Sequence, residues 1–367
     1  MLAKRDADAR RAAAIGFTLD RDDGASGTGA GPAWCKRQRV WSPADYERTR
    51  TLGEGTFGAV VEARHRATGQ SVAVKEIRQP APASTAGAVA DPADDALREA
   101  ELLAACRGHP SLVGLHALAF NRGTGEVALV MECVGPSLHD VLYDGRHRGG
   151  RPFAEPDMRR IMRQLLGGAQ HMHPRRIMHR DIKPGNILVA AGCGDPITVK
   201  ICDFGLAASI VNQPPYERAG TRRYMAPEML LGKTDYDAMV DMWSLGCVMA
   251  ELLLGKPLFD GDEDKDVVLR IISVLGTPGP RTWPDFKSLP LAGTVAMPTV
   301  RQRNRLRKFF PKERLSADGY DVLKRLLSCN ANKRPSATAA LRSPWFSQDV
   351  DSKASVSSAA IAVKIVG

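Results

Sequence analysis

The most constraining feature of this sequence is the segment His179-Arg-Asp-Ile-Lys-Pro-Gly-Asn186, which is followed by Asp203-Phe-Gly205. It sets an aspartate, a lysine, an asparagine and a second aspartate in a fixed order. Phosphoryl transfer needs a carboxylate that orients and deprotonates the acceptor hydroxyl, a cation for the transferred group, and oxygen ligands for Mg²⁺. The pattern therefore predicts a base, a cation and two metal ligands, in that order, at Asp181, Lys183, Asn186 and Asp203.

A glycine-rich segment, Gly53-Glu-Gly-Thr-Phe-Gly58, is a weaker signal, because the same spacing opens dinucleotide-binding folds. In those folds the glycines lead into a helix whose N-terminus binds pyrophosphate. Here Ala59-Val-Val-Glu-Ala63 follows, which has the composition of a strand. The glycines are therefore predicted to lie in a hairpin that can cover phosphates. An ordinary glycine-rich turn is the alternative, and a nucleotide-binding oxidoreductase is disfavoured because no strand-glycine-helix unit exists.

The segment Val72-Ala-Val-Lys75 is a predicted strand that carries a single cation. An ammonium at this place could reach an α- or β-phosphate. Such a lysine needs an anion to orient it, and Glu99, on the one helix predicted nearby, is the candidate. Glu101 is the competitor, about 200° around the same helix.

The predicted secondary structure divides the chain into two parts. Short strands bounded by turn signals are predicted at 49–52, 59–63, 72–77 and 127–131, with one helix at 94–106. Helical periodicity follows at 155–171, 237–254, 265–274 and 317–327. This order predicts an α+β fold with a small antiparallel β lobe plus one helix, at about 45–134, and a larger helical lobe at about 135–346.

The two ends of the chain differ in composition from this folded part. Residues 1–44 are rich in Ala, Gly, Asp and Arg, and residues 347–367 are polar and rich in Ala. Neither segment can bury enough apolar surface to order itself. We therefore predict a disordered N-terminal arm and a flexible C-terminal tail around a domain at 45–346.

Composition and charge exclude several classes of protein. The seven cysteines lack the paired spacing of a disulfide framework or a zinc site. No stretch approaches the roughly 18 apolar residues of a membrane span, so we expect no membrane partner and a cytoplasmic and/or nuclear location. The net charge of +10 could attract polyanions, but the densest basic run, at 301–308, has no interleaved aromatic residues to stack bases. We therefore expect no nucleic-acid partner and interpret the run as a solvated face or a patch for an acidic partner.

Together with these segments, Ala226-Pro-Glu228, Asp241-Met-Trp243 and Lys333-Arg-Pro335 form an ordered series that resembles the eukaryotic protein kinases over about 45–346. The resemblance implies a bilobal protein kinase fold with ATP between the lobes and Mg²⁺ as cofactor. It implies transfer of the γ-phosphoryl group of MgATP to serine or threonine hydroxyls of protein substrates. It also implies that Glu228 pairs with Arg334 and braces the large lobe.

The resemblance also assigns the nucleotide contacts. The glycine-rich hairpin would cover ATP with Leu52, Gly53, Glu54, Gly55, Thr56, Phe57, Gly58, Ala59 and Val60. Lys75 and Glu99 would orient the phosphates. Met131 would guard the back of the adenine pocket, and backbone groups of Glu132 and Val134 would bind adenine.

Within that family the chain is similar to cyclin-dependent kinases, through Pro257-Leu-Phe259 and Leu275-Gly-Thr-Pro278 among other segments, and we identify it with a divergent plant F-type member. Those kinases carry Pro-Ser-Thr-Ala-Ile-Arg-Glu on the helix that binds cyclin. This chain has Ala93-Asp-Asp-Ala-Leu-Arg-Glu99 instead, so a cyclin or cyclin-like regulator is left open as a partner. In the hairpin, Phe57 replaces a tyrosine that is an inhibitory phosphorylation site in many relatives.

The predicted activation loop, at 206–220, contains no threonine, and its hydroxyl groups are those of Ser209 and Tyr216. In many relatives the residue equivalent to Arg180 pairs with a phosphothreonine, which orders the loop through charge-assisted hydrogen bonds. We predict that this loop orders without phosphate and that the Glu217 carboxylate pairs with Arg180. A phosphate on Tyr216 is the alternative.

A last departure concerns substrate choice. In cyclin-dependent relatives an arginine before Ala-Pro-Glu helps to hold a left-handed residue upstream. Here that position is Met225, while Gly220 can adopt the left-handed conformation without strain. We therefore predict a relaxed preference for proline after the acceptor residue.

The rival interpretation is a catalytically silent binding module or scaffold that uses the kinase fold. Such proteins usually lose the strand lysine, the catalytic aspartate or the metal-binding aspartate. Lys75, Asp181 and Asp203 are all present, so the sequence favours an active enzyme.

Overall fold

The structure is a computed structural model, and it describes residues 17–19, 38–41, 43–55, 58–77, 92–120, 127–145, 148–190, 197–210 and 214–347. The described residues fall into two compact units. Unit 1 lies within Met1–Gly108 and Val113–Cys133, and unit 2 lies within His109–Leu112 and Val134–Gly367. Within the described ranges no helix is long and apolar enough to cross a membrane.

Unit 1 is built on a seven-stranded sheet. Its strands are, in chain order, β1 (Phe17–Leu19), β2 (Gln38–Trp41), β3 (Tyr46–Gly55), β4 (Gly58–His65), β5 (Ser71–Ile77), β6 (Leu115–Phe120) and β7 (Val127–Glu132). Across the sheet the order is β1-β2-β6-β7-β5-β4-β3. Strands β3 to β7 pair antiparallel, which confirms the small antiparallel β lobe.

The alternation of side chains along β5 explains which face of the sheet carries Lys75. Residues two apart on a strand face the same side of a sheet. Val72 and Val74 join a buried cluster with Val61, Val130 and other small apolar residues. Lys75 and Ala73 therefore lie on the opposite face, where helix α1 (Pro92–Ala105) packs against β5, β6 and β7.

The two strands β1 and β2 differ from the prediction, because they lie inside the segment 1–44 that we predicted as a disordered arm. Both pair parallel, β1 with β2 and β2 with the edge of β6. The unpaired N–H and C=O groups of a sheet edge can recruit a short strand without much apolar surface. Composition does not reveal such pairing. Apart from residues 43 and 44, the rest of the arm lies outside the described residues, as does the tail beyond residue 347.

Unit 2 is mainly helical, as predicted. Its helices are α2 (Leu138–Tyr143), α3 (Glu155–Met172), α4 (Pro227–Leu230), α5 (Met239–Leu254), α6 (Asp264–Leu275), α7 (Leu306–Phe309), α8 (Ala317–Leu326), α9 (Ala337–Leu341) and α10 (Pro344–Ser347). Two small antiparallel strand pairs accompany them, formed by β9 (Ile187–Ala190) with β10 (Thr198–Ile201) and by β8 (Ile177–Met178) with β11 (Ala208–Ser209). The short strands and the loops between them carry the residues of the first predicted motif.

Helix α5 is the centre of unit 2. Its residues from Val240 to Leu253 are all buried, which is typical of a helix that is apolar on every side and packs within a core. It ends at Gly255, whose left-handed φ of 73° lets the chain turn away. The polar side chains of α5, notably Asp241, are therefore fixed in position and can anchor the loops that pack around the helix.

Candidate active site

The loop that carries the predicted base is held by one buried carboxylate on α5. Asp241 is fully buried, and its two oxygens accept hydrogen bonds from the backbone N–H groups of His179 and Arg180, each at 2.9 Å. Burial by itself would raise the pKa of Asp241, but hydrogen bonds and electrostatic attraction from His173 and His179 outweigh it, so the pKa lies below its ordinary value. The carboxylate stays ionised and stabilises Arg180, which has a left-handed φ of 68°.

The side chain of Asp181 is buried and accepts four donors. Oδ1 accepts from the Thr221 N–H at 2.8 Å and from Thr221 Oγ1 at 2.7 Å. Oδ2 accepts from Asn186 Nδ2 at 2.9 Å and from Lys183 Nζ at 2.8 Å. Lys183 Nζ also donates to Thr221 Oγ1 at 2.7 Å. The structure therefore brings together three of the four predicted residues of this motif around one carboxylate.

The donor chemistry fits the predicted Mg²⁺. Asn186 Nδ2 donates to both the backbone oxygen and Oδ2 of Asp181, so the amide nitrogen faces Asp181 and the amide oxygen is left for a cation. Asp203 supplies a carboxylate and has a left-handed φ of 63°. Among the described residues no group of three or more His, Cys, Asp or Glu side chains could hold a metal ion alone. Two protein ligands completed by phosphate and water is the usual arrangement for Mg²⁺ in phosphotransferases.

The end of the activation loop packs directly on this site. Gly220 has a φ of 107°, which confirms the predicted left-handed conformation. A Cβ at Gly220 would lie 2.3 Å from the carbonyl oxygen of Arg180, so only glycine fits. This close approach sets Thr221 against Asp181. Met225 is buried nearby, after a 3₁₀ turn at Arg222–Tyr224. The predicted effect on proline preference stays a prediction.

The partners of Arg180 differ from the prediction. Its guanidinium donates to the Leu206 carbonyl at 2.6 Å, to the Tyr236 hydroxyl at 3.1 Å and to the backbone carbonyl of Glu217 at 3.5 Å. The Glu217 carboxylate, which we predicted as the partner, makes none of these contacts. The chain direction at Glu217 turns the main-chain oxygen toward Arg180. Sequence reasoning missed Tyr236, and nothing local to it signals the role.

In unit 1, Lys75 and Glu99 form the predicted pair. Lys75 Nζ lies 2.9 Å from Oε1 and 2.8 Å from Oε2 of Glu99, and both side chains are buried. The partner is therefore Glu99 and not Glu101. The side chain of Lys75 points from β5 toward α1, and residue 99 lies on the side of α1 that faces it. A buried lysine that donates to both oxygens of one carboxylate is held in a fixed position.

The glycine-rich hairpin is formed by β3 and β4, which pair through Gly55 and Gly58. This confirms that a strand, and not a helix, follows the glycines. Gly58 has a φ of 135°, which favours glycine at the turn. Leu52, Gly53 and Glu54 are exposed, and Ala59 and Val60 are half-buried. Thr56 and Phe57 lie outside the described residues, so the predictions for them stay open.

The residues predicted to contact adenine lie where unit 1 ends and unit 2 begins in the sequence. Met131 is buried on β7 and is paired with Ala73 in the sheet. The N–H of Glu132 donates to the Gly114 carbonyl at 2.8 Å, so it is engaged within unit 1. Val134 is the first residue of unit 2 on this side and is half-buried. Their contacts with adenine stay predictions.

The predicted brace of the helical lobe is present in unit 2. Arg334 Nη1 donates to Glu228 Oε1 at 2.6 Å, and Nη2 donates to Glu228 Oε2 at 2.7 Å. Both residues are buried, and the guanidinium also lies 5.2 Å from the centre of the Trp243 ring. This bidentate pair connects α4 to the segment before α9.

The chain is similar to known proteins along most of its length. It matches the protein kinase domain over residues 46–346. It is 44% identical over 310 residues to a protein of Oryza sativa subsp. japonica that is provisionally named cyclin-dependent kinase F-2, a match that covers 83% of this chain and 90% of that protein. It is 39% identical over 311 residues to cell division control protein 2 homolog 3 of Trypanosoma brucei brucei, covering 82% of this chain and 92% of that protein. It is 36% identical over 318 residues to cyclin-dependent kinase G1 of Arabidopsis thaliana, covering 82% of this chain but only 49% of that protein.

Proposed function

Because the chain belongs to the protein kinase family, as a cyclin-dependent-kinase-like serine/threonine kinase of the plant F type, we propose that it is an active enzyme that transfers the γ-phosphoryl group of MgATP to protein serine or threonine hydroxyls. The observation that carries the proposal is the set of four donors around Asp181. A buried carboxylate is costly unless it is fully hydrogen-bonded. Among the described residues, the donors to this one are Lys183 and Asn186 of the predicted phosphotransfer motif and Thr221.

The four donors suggest how the site prepares for its substrate. An ionised carboxylate has about four acceptor positions, and all of those on Asp181 are taken. Lys183 is the donor most able to leave, because its side chain is long and partly exposed. When Lys183 turns to a phosphate oxygen, one position on Oδ2 opens for the acceptor hydroxyl. Asp181 then orients that hydroxyl and accepts its proton, while Thr221 and Asn186 keep the carboxylate in place.

Asn186 and Asp203 are the residues that would hold Mg²⁺. The ion would supply charge neutralisation for the phosphate oxygens. In unit 1, Lys75 would position phosphates, and Glu99 would keep Lys75 in place.

Protein substrates follow from the family, whereas a cyclin partner remains a proposal. Helix α1 carries Asp94-Asp-Ala-Leu-Arg-Glu99 in place of the cyclin-binding pattern. We therefore propose measurable activity without a cyclin, in the cytoplasm and/or nucleus, with a cyclin as a possible activator.

The test is a phosphotransfer assay of the purified full chain with MgATP and a peptide library, with and without cyclins. Asp181→Asn should lower kcat by a factor on the order of 10² to 10⁴ and leave ATP binding intact, because it removes the positioned base. Asp321→Asn, on the exposed face of α8, is the matched control and should be neutral. A chain that binds nucleotide but transfers no phosphate, with or without cyclins, would support the scaffold interpretation instead.

A further inference from the structure

The guanidinium of Arg180 donates hydrogen bonds to three neutral oxygens. Nε donates to the Leu206 carbonyl at 2.6 Å, and Nη1 donates to the Tyr236 hydroxyl at 3.1 Å and to the Glu217 carbonyl at 3.5 Å. In this way one side chain contacts the start of the activation loop, its end and the segment that leads into α5. These are the segments that a phosphate on the loop would otherwise draw together.

Tyr236 is the central member of this set. Its hydroxyl donates to the Glu217 carbonyl at 2.6 Å and therefore presents its lone pairs to Arg180. The side chain is buried, and its ring lies 5.3 Å from the ring of Tyr216. Burial raises the pKa of Tyr236 although Arg180 opposes the shift, so the hydroxyl keeps the proton that it donates.

The hydroxyl groups of the activation loop are poorly placed to bring a phosphate to Arg180. Tyr216 is buried against Tyr236, and its N–H donates to the Thr234 carbonyl at 2.8 Å. A phosphate on Tyr216 would require the ring to leave this packing. Ser209 lies on β11, where it pairs with Ile177 of β8. The contacts that Arg180 already makes hold the activation loop in place. A phosphate on Tyr216 or Ser209 is therefore not needed for that purpose.

We propose that Tyr236 is a positioning residue that takes the place of an activation-loop phosphate. Its hydroxyl holds Arg180 and the Glu217 carbonyl together. This contact fixes the close approach of Gly220 to the Arg180 carbonyl and, one residue further on, the contact of Thr221 with Asp181. Phosphorylation of the loop is then unnecessary for the active arrangement. The inference rests on the proposed function only for its activity readout.

The experiment uses the full chain after phosphatase treatment, with the absence of phosphate checked by intact mass. Tyr236→Phe removes the hydroxyl and keeps the ring that packs on Tyr216. Tyr320→Phe, on α8, is the matched control, since Arg307 lies over the face of its ring and no contact joins it to Arg180. The two readouts are amide hydrogen exchange of residues 214–220 and steady-state kinetics with ATP and a peptide.

We expect wild type to show the same exchange of residues 214–220 and the same kcat before and after phosphatase treatment. Tyr236→Phe should raise exchange in residues 214–220 about fivefold or more and lower kcat about tenfold, with KM for ATP changed less than about twofold, because a hydrogen bond to a charged group is lost. The effect should disappear in the background of Arg180→Ala, since Tyr236 acts through Arg180. A purely structural role would persist in that background.

Two results would overturn the inference. One is normal exchange and normal kcat in Tyr236→Phe, and the other is loss of both in wild type once phosphate is removed. If exchange responds as expected while no form of the chain transfers phosphate, the proposed function is wrong and the role of Tyr236 in ordering the loop stands.

Discussion

Gly220 shows how much one residue can depend on the absence of a side chain. It combines a φ of 107° with a contact in which a Cβ would meet the Arg180 carbonyl at 2.3 Å. The Arg180 carbonyl is part of the backbone, so it cannot move aside to relieve the clash as the end of a flexible side chain could. The neighbouring Thr221 is therefore set against Asp181 only because residue 220 is glycine.

Gly220→Ala should lower kcat by at least about tenfold, because left-handed strain of about 1–2 kcal/mol adds to a clash that pushes the loop off Asp181. The matched control is Gly69→Ala, where φ is 70° but nothing lies within 4 Å of the added carbon. That variant should lose stability by the strain alone and keep its kcat. Equal kcat values in the two variants would contradict the importance of the close approach.

At the scale of secondary-structure elements, the Lys75–Glu99 pair joins the middle of β5 to α1. The lysine is 5% exposed and the glutamate 3% exposed, so the ion pair is buried. Removing one partner of a buried pair leaves an uncompensated charge, which costs more than an exposed pair contributes. The pair is therefore a buried polar contact within the packing of α1 on the sheet.

Lys75→Met and Glu99→Gln should each lower kcat more than they raise KM for ATP, because a charge that aligns phosphates acts mainly as the transition state develops. The double variant should be little worse than either single one, since the two residues share one interaction. Glu101→Gln, on the same helix, is the control for the competitor residue and should have a small effect. Losses that simply add in the double variant would argue against the pair.

At the scale of the whole chain, the Glu228–Arg334 pair connects residues far apart in sequence within unit 2. The Arg334 side chain has no exposed surface, and it also donates to the carbonyls of Met239 and Ser328. One guanidinium therefore ties α4, the start of α5 and the segment before α9 together. Its loss should affect folding of the helical part and not a single loop.

Arg334→Ala should lower the free energy of unfolding by about 3–5 kcal/mol, because it strands a buried carboxylate. Arg325→Ala removes an exposed partner of Asp321, 3.9 Å away, and should cost less than about 1 kcal/mol. Urea denaturation of the full chain, followed by circular dichroism, compares the two variants. A midpoint for Arg334→Ala equal to that of Arg325→Ala would show that the pair does not brace the unit.

The sequence by itself determined the order of the longer elements, the family and the residues proposed for the candidate site. Strand and helix periods are local, so the antiparallel strands and the long helices were predicted to within a few residues. The pairing of Lys75 with Glu99 was predicted because a phosphate-binding lysine needs an anion to orient it, and the pairing of Glu228 with Arg334 was implied by the resemblance to protein kinases. Short elements such as β6 and α2 were not predicted, since their few residues carry too little periodic signal.

Only the tertiary structure decided which oxygens face Arg180 and which strands extend the sheet. Glu217 had the right charge, yet the backbone conformation of the loop turns its carbonyl, and not its carboxylate, toward the guanidinium. Tyr236 belongs to a segment that follows the activation loop. Its ring packs on Tyr216, and this packing places its hydroxyl beside Arg180. The strands β1 and β2 pair through backbone groups that every residue possesses. Composition and spacing show which chemical groups a chain contains. The direction in which a carbonyl or side chain points, and the strand that pairs with a sheet edge, are fixed only when distant segments pack together.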